Sequence, residues 1–110
     1  MHIDLTIEQT EFSSDEIRTT ILHALHAETE QARLRRDYYA DLCAAFEQEH
    51  GFSSHEFIER FEAGSLGDDA VYFDWFAAKR GLDLWNRRFQ ILRCVSYGAG
   101  HHSISFRTVT

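Results

Sequence analysis

Two histidines and a glutamate offer the most direct route to chemistry in this chain. His23 and His26 stand three residues apart, with Glu30 one turn on, so on a helix all three could reach one metal ion. That grouping would make the chain a small metal-dependent enzyme. No further ligand follows at a matching spacing, and histidines three apart on a helix are common by chance, so surface or core histidines are the preferred reading. His101 and His102, in a glycine-bearing loop, form a weaker signal still. Glu56, Glu59 and Asp69 invite a paired-carboxylate reading, one acid and one base. All three are explained by helix starts and solvated faces. Cys43 and Cys94 lack zinc spacing, and neither a phosphate-binding loop nor a nucleophile with an identifiable base is present. The expectation is a chain without catalytic residues, metal or cofactor.

Charge points elsewhere. The 110 residues carry a net charge of −7, unevenly placed. From Asp37 to Asp74 there are ten acids and one base, Arg60, while from Trp75 onward there are six bases and one acid, Asp83. The plain reading is that the two halves neutralise each other on folding. The functional reading is that the acidic half attracts a basic partner. Overall acidity argues against nucleic acid as the main ligand, since phosphates would be repelled. Lys79, Arg80, Arg87, Arg88 and Arg93 are spread around a helix instead of lining one face, which weakens a nucleic-acid stripe.

The elements that must carry these residues are mostly helical. The chain has no proline, and its length suits one small domain. Ile3, Leu5 and Ile7 alternate with polar residues and predict a short first strand. A helical pattern runs from about Ser14 to His50. Along one face Ile21, Leu25, Glu28, Ala32, Arg35, Tyr39, Leu42 and Phe46 keep four–three spacing. Such a helix would reach about 55 Å, longer than a small domain covers throughout. The charged centre, Glu28 to Asp37, is therefore expected to stand clear of the core. Ile21, Leu25, Glu28, Ala32, Arg35 and Tyr39 then become a candidate homodimer seam, with Glu28 facing Arg35 of an antiparallel second copy. Two solvated side chains are the simpler reading of that pair.

Gly51 suits a helix stop in the left-handed conformation, with Phe52 placed to touch Phe46. Ser53 and Glu56 have capping-box spacing, flanked by Phe52 and Phe57 as a hydrophobic staple; Ser13 and Glu16 repeat the device earlier. The second helix runs from Ser53 to about Ala63 and ends at Gly64. After a Ser65-Leu66-Gly67 turn, Asp68 or Asp69 caps a third helix, read from about Asp69 to Arg93. Val71, Trp75, Ala78, Leu82, Trp85, Phe89 and Leu92 keep four–three spacing through Gly81, which is read as a weak point costing about 1 kcal/mol relative to alanine. Trp75 and Trp85 are read as core in preference to a ligand platform. A second stripe, Phe73, Ala77, Leu84 and Ile91, lies roughly opposite. With few other helices to cover two faces, a partner is favoured over internal packing. For the tail, 94–110, three placements stay open: a hairpin about Gly98–His102, pairing with the first strand, or disorder.

Residues 50–92 resemble a group of short helical antitoxins from prokaryotic toxin–antitoxin pairs, the TumA-like partners of TumE-type toxins. The resemblance lies in Gly51-Phe52-Ser53-Ser54-His55-Glu56-Phe57 and in Arg60-Phe61-Glu62-Ala63-Gly64-Ser65-Leu66-Gly67-Asp68-Asp69. It continues through Tyr72-Phe73-Asp74-Trp75. The long first helix and the tail after Arg93 depart from the group. The resemblance implies a small all-helical protein that acts by binding a toxin, with no enzymatic activity.

The combined expectation is a mainly α chain, with two long helices and one short one packed antiparallel and minor strand or disorder at the ends. It would be a cytoplasmic antitoxin-like protein, a homodimer with no membrane span and no secretory signal. Phe57, Phe61, Leu66, Asp68, Asp69, Phe73, Asp74 and Leu84 are the candidate contacts for a small cognate toxin. The competing readings are a homo-oligomeric helical scaffold and the metal-dependent enzyme of His23, His26 and Glu30.

Overall fold

A computed structural model describes residues 2–8, 10–95 and 103–109. Five elements follow in order: β1 (His2–Glu8), α1 (Ser14–His50), α2 (Ser54–Glu62), α3 (Ala70–Arg93) and β2 (Ser103–Val109). The expected two long helices and one short one are present, with ends within a residue of those read from the caps. No helix among the described residues is long and apolar enough to cross a membrane.

The chain gathers into two units. One comprises Ala32–Arg88; the other comprises Met1–Gln31 and Phe89–Thr110. In the second unit, β1 and β2 form a two-stranded parallel sheet with Ile3 opposite Ile104 and Leu5 opposite Phe106. A parallel pair needs a long crossover, so a hairpin between these strands is excluded and pairing with the first strand is the outcome. The Gly98–His102 interruption lies outside the described residues. Arg107 lies 3.7 Å from Asp4 across the pair. α1 opens with a complete capping box: the Glu16 amide donates to Ser13 Oγ at 3.1 Å, and the Ser13 amide donates to the Glu16 carboxylate at 3.1 Å. Ile17, Ile21 and Leu25 are half-buried, and Phe89 is buried.

Within Ala32–Arg88, α1 and α3 pack antiparallel. Tyr39 faces Gly81, the Arg35 guanidinium lies 4.5 Å from the Trp85 ring centroid, and Phe46 stacks on Trp75. Residues advancing along α1 thus meet residues retreating along α3. Gly81 leaves no room for a side chain, because a Cβ there would lie 2.6 Å from Tyr39 Cε1. The glycine read as a weak point is what lets the Tyr39 ring sit against α3. Ala32 is fully buried, so the charged centre of α1 does not stand clear at that position.

α2 is bounded as its sequence predicts. Gly51 and Gly64 have φ of 83° and 71°, the left-handed conformation that glycine adopts without penalty. At Gly64 the Ser65 amide donates back to the Arg60 carbonyl, closing the helix with a six-to-one bond. At the start, the Glu56 amide donates to Ser53 Oγ at 3.1 Å. The reciprocal half of the box is not made: the Glu56 carboxylate turns to Arg60 at 2.8 Å.

Candidate partner-binding surface

Trp75 organises the unit on which the candidate surface is built. It is fully buried, stacked 4.1 Å from Phe57 and packed by Phe46, Phe52 and His50. Phe52 and Phe57, read as a staple on each other, both pack on the indole. The indole Nε1–H needs an acceptor once buried, and Ser54 Oγ supplies it at 2.9 Å. The Ser54 amide in turn donates to the Glu47 carboxylate at 2.7 Å. Cys43, also buried, hydrogen-bonds the same hydroxyl, while burial pushes its thiol above the ordinary value of 9.0. His50 Nε2 is buried with no hydrogen-bond partner among the described residues. Sequence reading missed this relay, because Ser54 looks like an ordinary first-turn residue until Trp75 is folded over it.

The rigid core leaves an edge exposed. Phe61, Leu66, Asp68 and Phe73, four of the eight candidate contacts, line one groove of about 310 Å³ together with Gly64 and Gly67. The helix stop at Gly64 and the turn after it bring α2's last aromatic beside the first turns of α3. Phe61 packs edge-on to Phe73 at 5.4 Å and stacks on Phe76 at 4.9 Å. Phe73 still keeps 54% of its surface exposed. Asp68, Asp69 and Asp74 are exposed and have no ion-pair partner among the described residues. Leu84, three turns along α3, is 47% exposed and sits in a separate depression with Arg80, Gly81, Asp83 and Arg87. Phe57 is the exception: it is fully buried against Trp75 and has no area to give a partner. The spacing of Phe57, Phe61 and Phe73 carried no sign of which aromatic would turn inward; the position of Trp75 decides it.

No protein-family model, curated protein or solved structure matches this chain. Function is therefore read from the geometry of its own residues.

The remaining candidates are dispersed. Of the proposed seam, Ala32 is buried and Tyr39 packs on Gly81, while Arg35 leans over Trp85, so these three serve the chain's own packing. Glu28 is exposed, and Ile21 and Leu25 are half-buried. His23 and His26 are exposed and Glu30 is half-buried; among the described residues no three His, Cys, Asp or Glu are grouped to hold a metal. His101 and His102 lie outside the described residues. Glu56 and Glu59 serve Arg60 and His55, each one turn away. Three of α3's basic residues are engaged locally: Lys79 pairs with Asp83 at 2.7 Å, Arg88 lies over Trp85, and Arg93 lies over Phe89.

Proposed function

We propose that this chain is an antitoxin-like binding protein that neutralises a small basic toxin by direct contact in the cytoplasm. The observation that supports it is the uncovered edge of α3. Phe73 and Leu84 hold about half their surface in solvent, and Asp68 in the groove, like the exposed Asp69 and Asp74, has no ion-pair partner among the described residues. An apolar anchor site rimmed by unpaired charge of one sign is how a protein selects an oppositely charged partner and guides its approach. The proposed contacts are Phe61, Leu66, Asp68, Asp69, Phe73, Asp74 and Leu84. The partner's anchors would fill the groove, with its basic side chains on the aspartates. The resemblance of residues 50–92 to TumA-like antitoxins agrees in placing the defining residues on α2, the turn and the start of α3.

Co-expression with the reading frame adjacent to its gene, expected on this reading to be small and basic, tests the proposal. Growth arrested by that frame should be restored by the wild-type chain, and the two proteins should purify as one complex. Phe73→Asp with Leu84→Asp should abolish both effects while the circular dichroism of the free chain stays helical. A chain that neither restores growth nor co-purifies with that neighbour sinks the antitoxin assignment.

A further inference from the structure

We infer that α3 carries a self-complementary face on which a second copy of this chain docks antiparallel, distinct from the α1 seam that the sequence suggested. This face overlaps the one proposed for the toxin, so a second copy and a toxin would compete for it, and sedimentation of the chain by itself tests the first without the second.

Phe73, Ala77, Arg80, Leu84 and Arg87 follow four–three spacing, so they form one continuous stripe on α3. The stripe is divided by charge. Its C-terminal half is Arg80, Leu84 and Arg87, lining one depression, and the only acid there, Asp83, is held by Lys79 at 2.7 Å. Arg87 has no ion-pair partner among the described residues. Its N-terminal end opens on the groove of Phe61, Leu66 and Asp68, whose one acid, Asp68, likewise has no ion-pair partner among the described residues. One molecule therefore presents an apolar–basic segment and an apolar–acidic groove on one face.

Electrostatics chooses the arrangement. Parallel copies would set Arg80 on Arg80 and Arg87 on Arg87 along the seam. An antiparallel pair with its two-fold axis between Phe73 and Ala77 sets each Phe73 on the small Ala77 of the second copy. It also lays Arg80, Leu84 and Arg87 of each copy toward the Leu66–Asp68 groove of the other. A two-fold interface makes every such contact twice, so one favourable charge pairing counts double. Phe73 and Leu84, two of the exposed large apolar side chains, are covered together with the half-buried Leu66. Arg80 reaches past Phe76, 5.8 Å from its ring centroid, which holds the guanidinium toward the flank of the stripe and off the axis.

Sedimentation velocity on the full chain, from ~5 to ~500 µM, spans the weak end of specific association and should show a monomer–dimer equilibrium. Arg80→Glu with Arg87→Glu should weaken the dimer by about tenfold or more, because each exchange turns two symmetry-related attractions into repulsions. Asp68→Lys with Asp69→Lys should do the same. Mixing the two variants should restore association as a heterodimer, since each then offers the charge the other lacks. Circular dichroism checks the fold of each variant, and Phe73→Asp is the substitute if the aspartate variant loses the start of α3. A wild-type chain that remains a monomer at ~500 µM overturns the inference and leaves the groove to an unlike partner. A dimer unmoved by all the α3 variants, or variants that do not associate when mixed, also overturns it.

Discussion

At Gly81, helix propensity and packing pull in opposite directions. Alanine in a helix interior is favoured over glycine by about 1 kcal/mol, yet its Cβ would meet Tyr39 Cε1, Cδ1 and Cζ at 2.6–2.8 Å. Overpacking costs about 1–3 kcal/mol, so after the propensity gain Gly81→Ala should lower stability by about 0–2 kcal/mol in urea denaturation. A variant more stable than wild type would mean that the Tyr39 ring swings aside freely. Cys43 carries a second residue-scale consequence. Burial raises its pKa above 9.0, with the Ser54 hydrogen bond and Lys79 acting in the opposite direction. The unfolded chain releases the thiol proton near its ordinary value, whereas the folded chain holds it to higher pH. The folded state then binds more protons, so this group's contribution to stability falls as pH rises above 9.0, by at most ~1.4 kcal/mol per pH unit. Cys43→Ala should make the alkaline decline in the denaturation midpoint shallower than in wild type.

α3 is asked to serve two faces, and they differ in what they can tolerate. Its inner face carries Trp75 and Ala78, both buried, and closes the relay from Ser54 to Glu47. Its outer stripe, Phe73 and Leu84, is half in water. Phe57→Ala, on α2 against the inner face, should cost about 3–5 kcal/mol because it empties a site beside a fully buried indole. Phe73→Asp with Leu84→Asp should stay within ~1 kcal/mol of wild type, as exposed substitutions do. Thermal denaturation of the two variants side by side measures the contrast. An outer-face variant as damaged as the inner one would show that the stripe is core, and the partner reading would fail with it.

Across the whole chain, charge is the property that acts at a distance. Asp68, Asp69 and Asp74 lack ion-pair partners among the described residues, so the mutual neutralisation of the two halves does not reach them. Binding of a basic partner should weaken as salt rises, since exposed charges more than a Debye length apart, about 8 Å at physiological ionic strength, are screened. Titration calorimetry at several salt concentrations would show it, and an affinity indifferent to salt would remove the aspartates from the recognition. For the α1 seam the expectation is the reverse. Arg35 is already stacked near Trp85 and Glu28 is exposed, so Glu28→Arg should leave the sedimentation behaviour unchanged.

The sequence by itself determined the three helices and their ends. Those depend on neighbours three to five residues away: Ser13 with Glu16, Gly51 and Gly64 in the left-handed conformation, Ser65 bonded to Arg60. It also marked α3's second stripe and the acidic turn before it, because four–three spacing and charge runs survive without coordinates. Tertiary structure decided which apolar residues turn inward. Phe57 and Phe73 look alike in sequence, but Trp75 lies over one and not the other. It also decided that Gly81 is a contact with Tyr39 and that Ser54 is the acceptor for a buried indole. The final strand's pairing was settled there too, since a parallel register with β1 spans about a hundred residues. Each of these is a meeting of residues far apart in the chain, and periodicity along one helix carries no information about what the neighbouring helix presents to it.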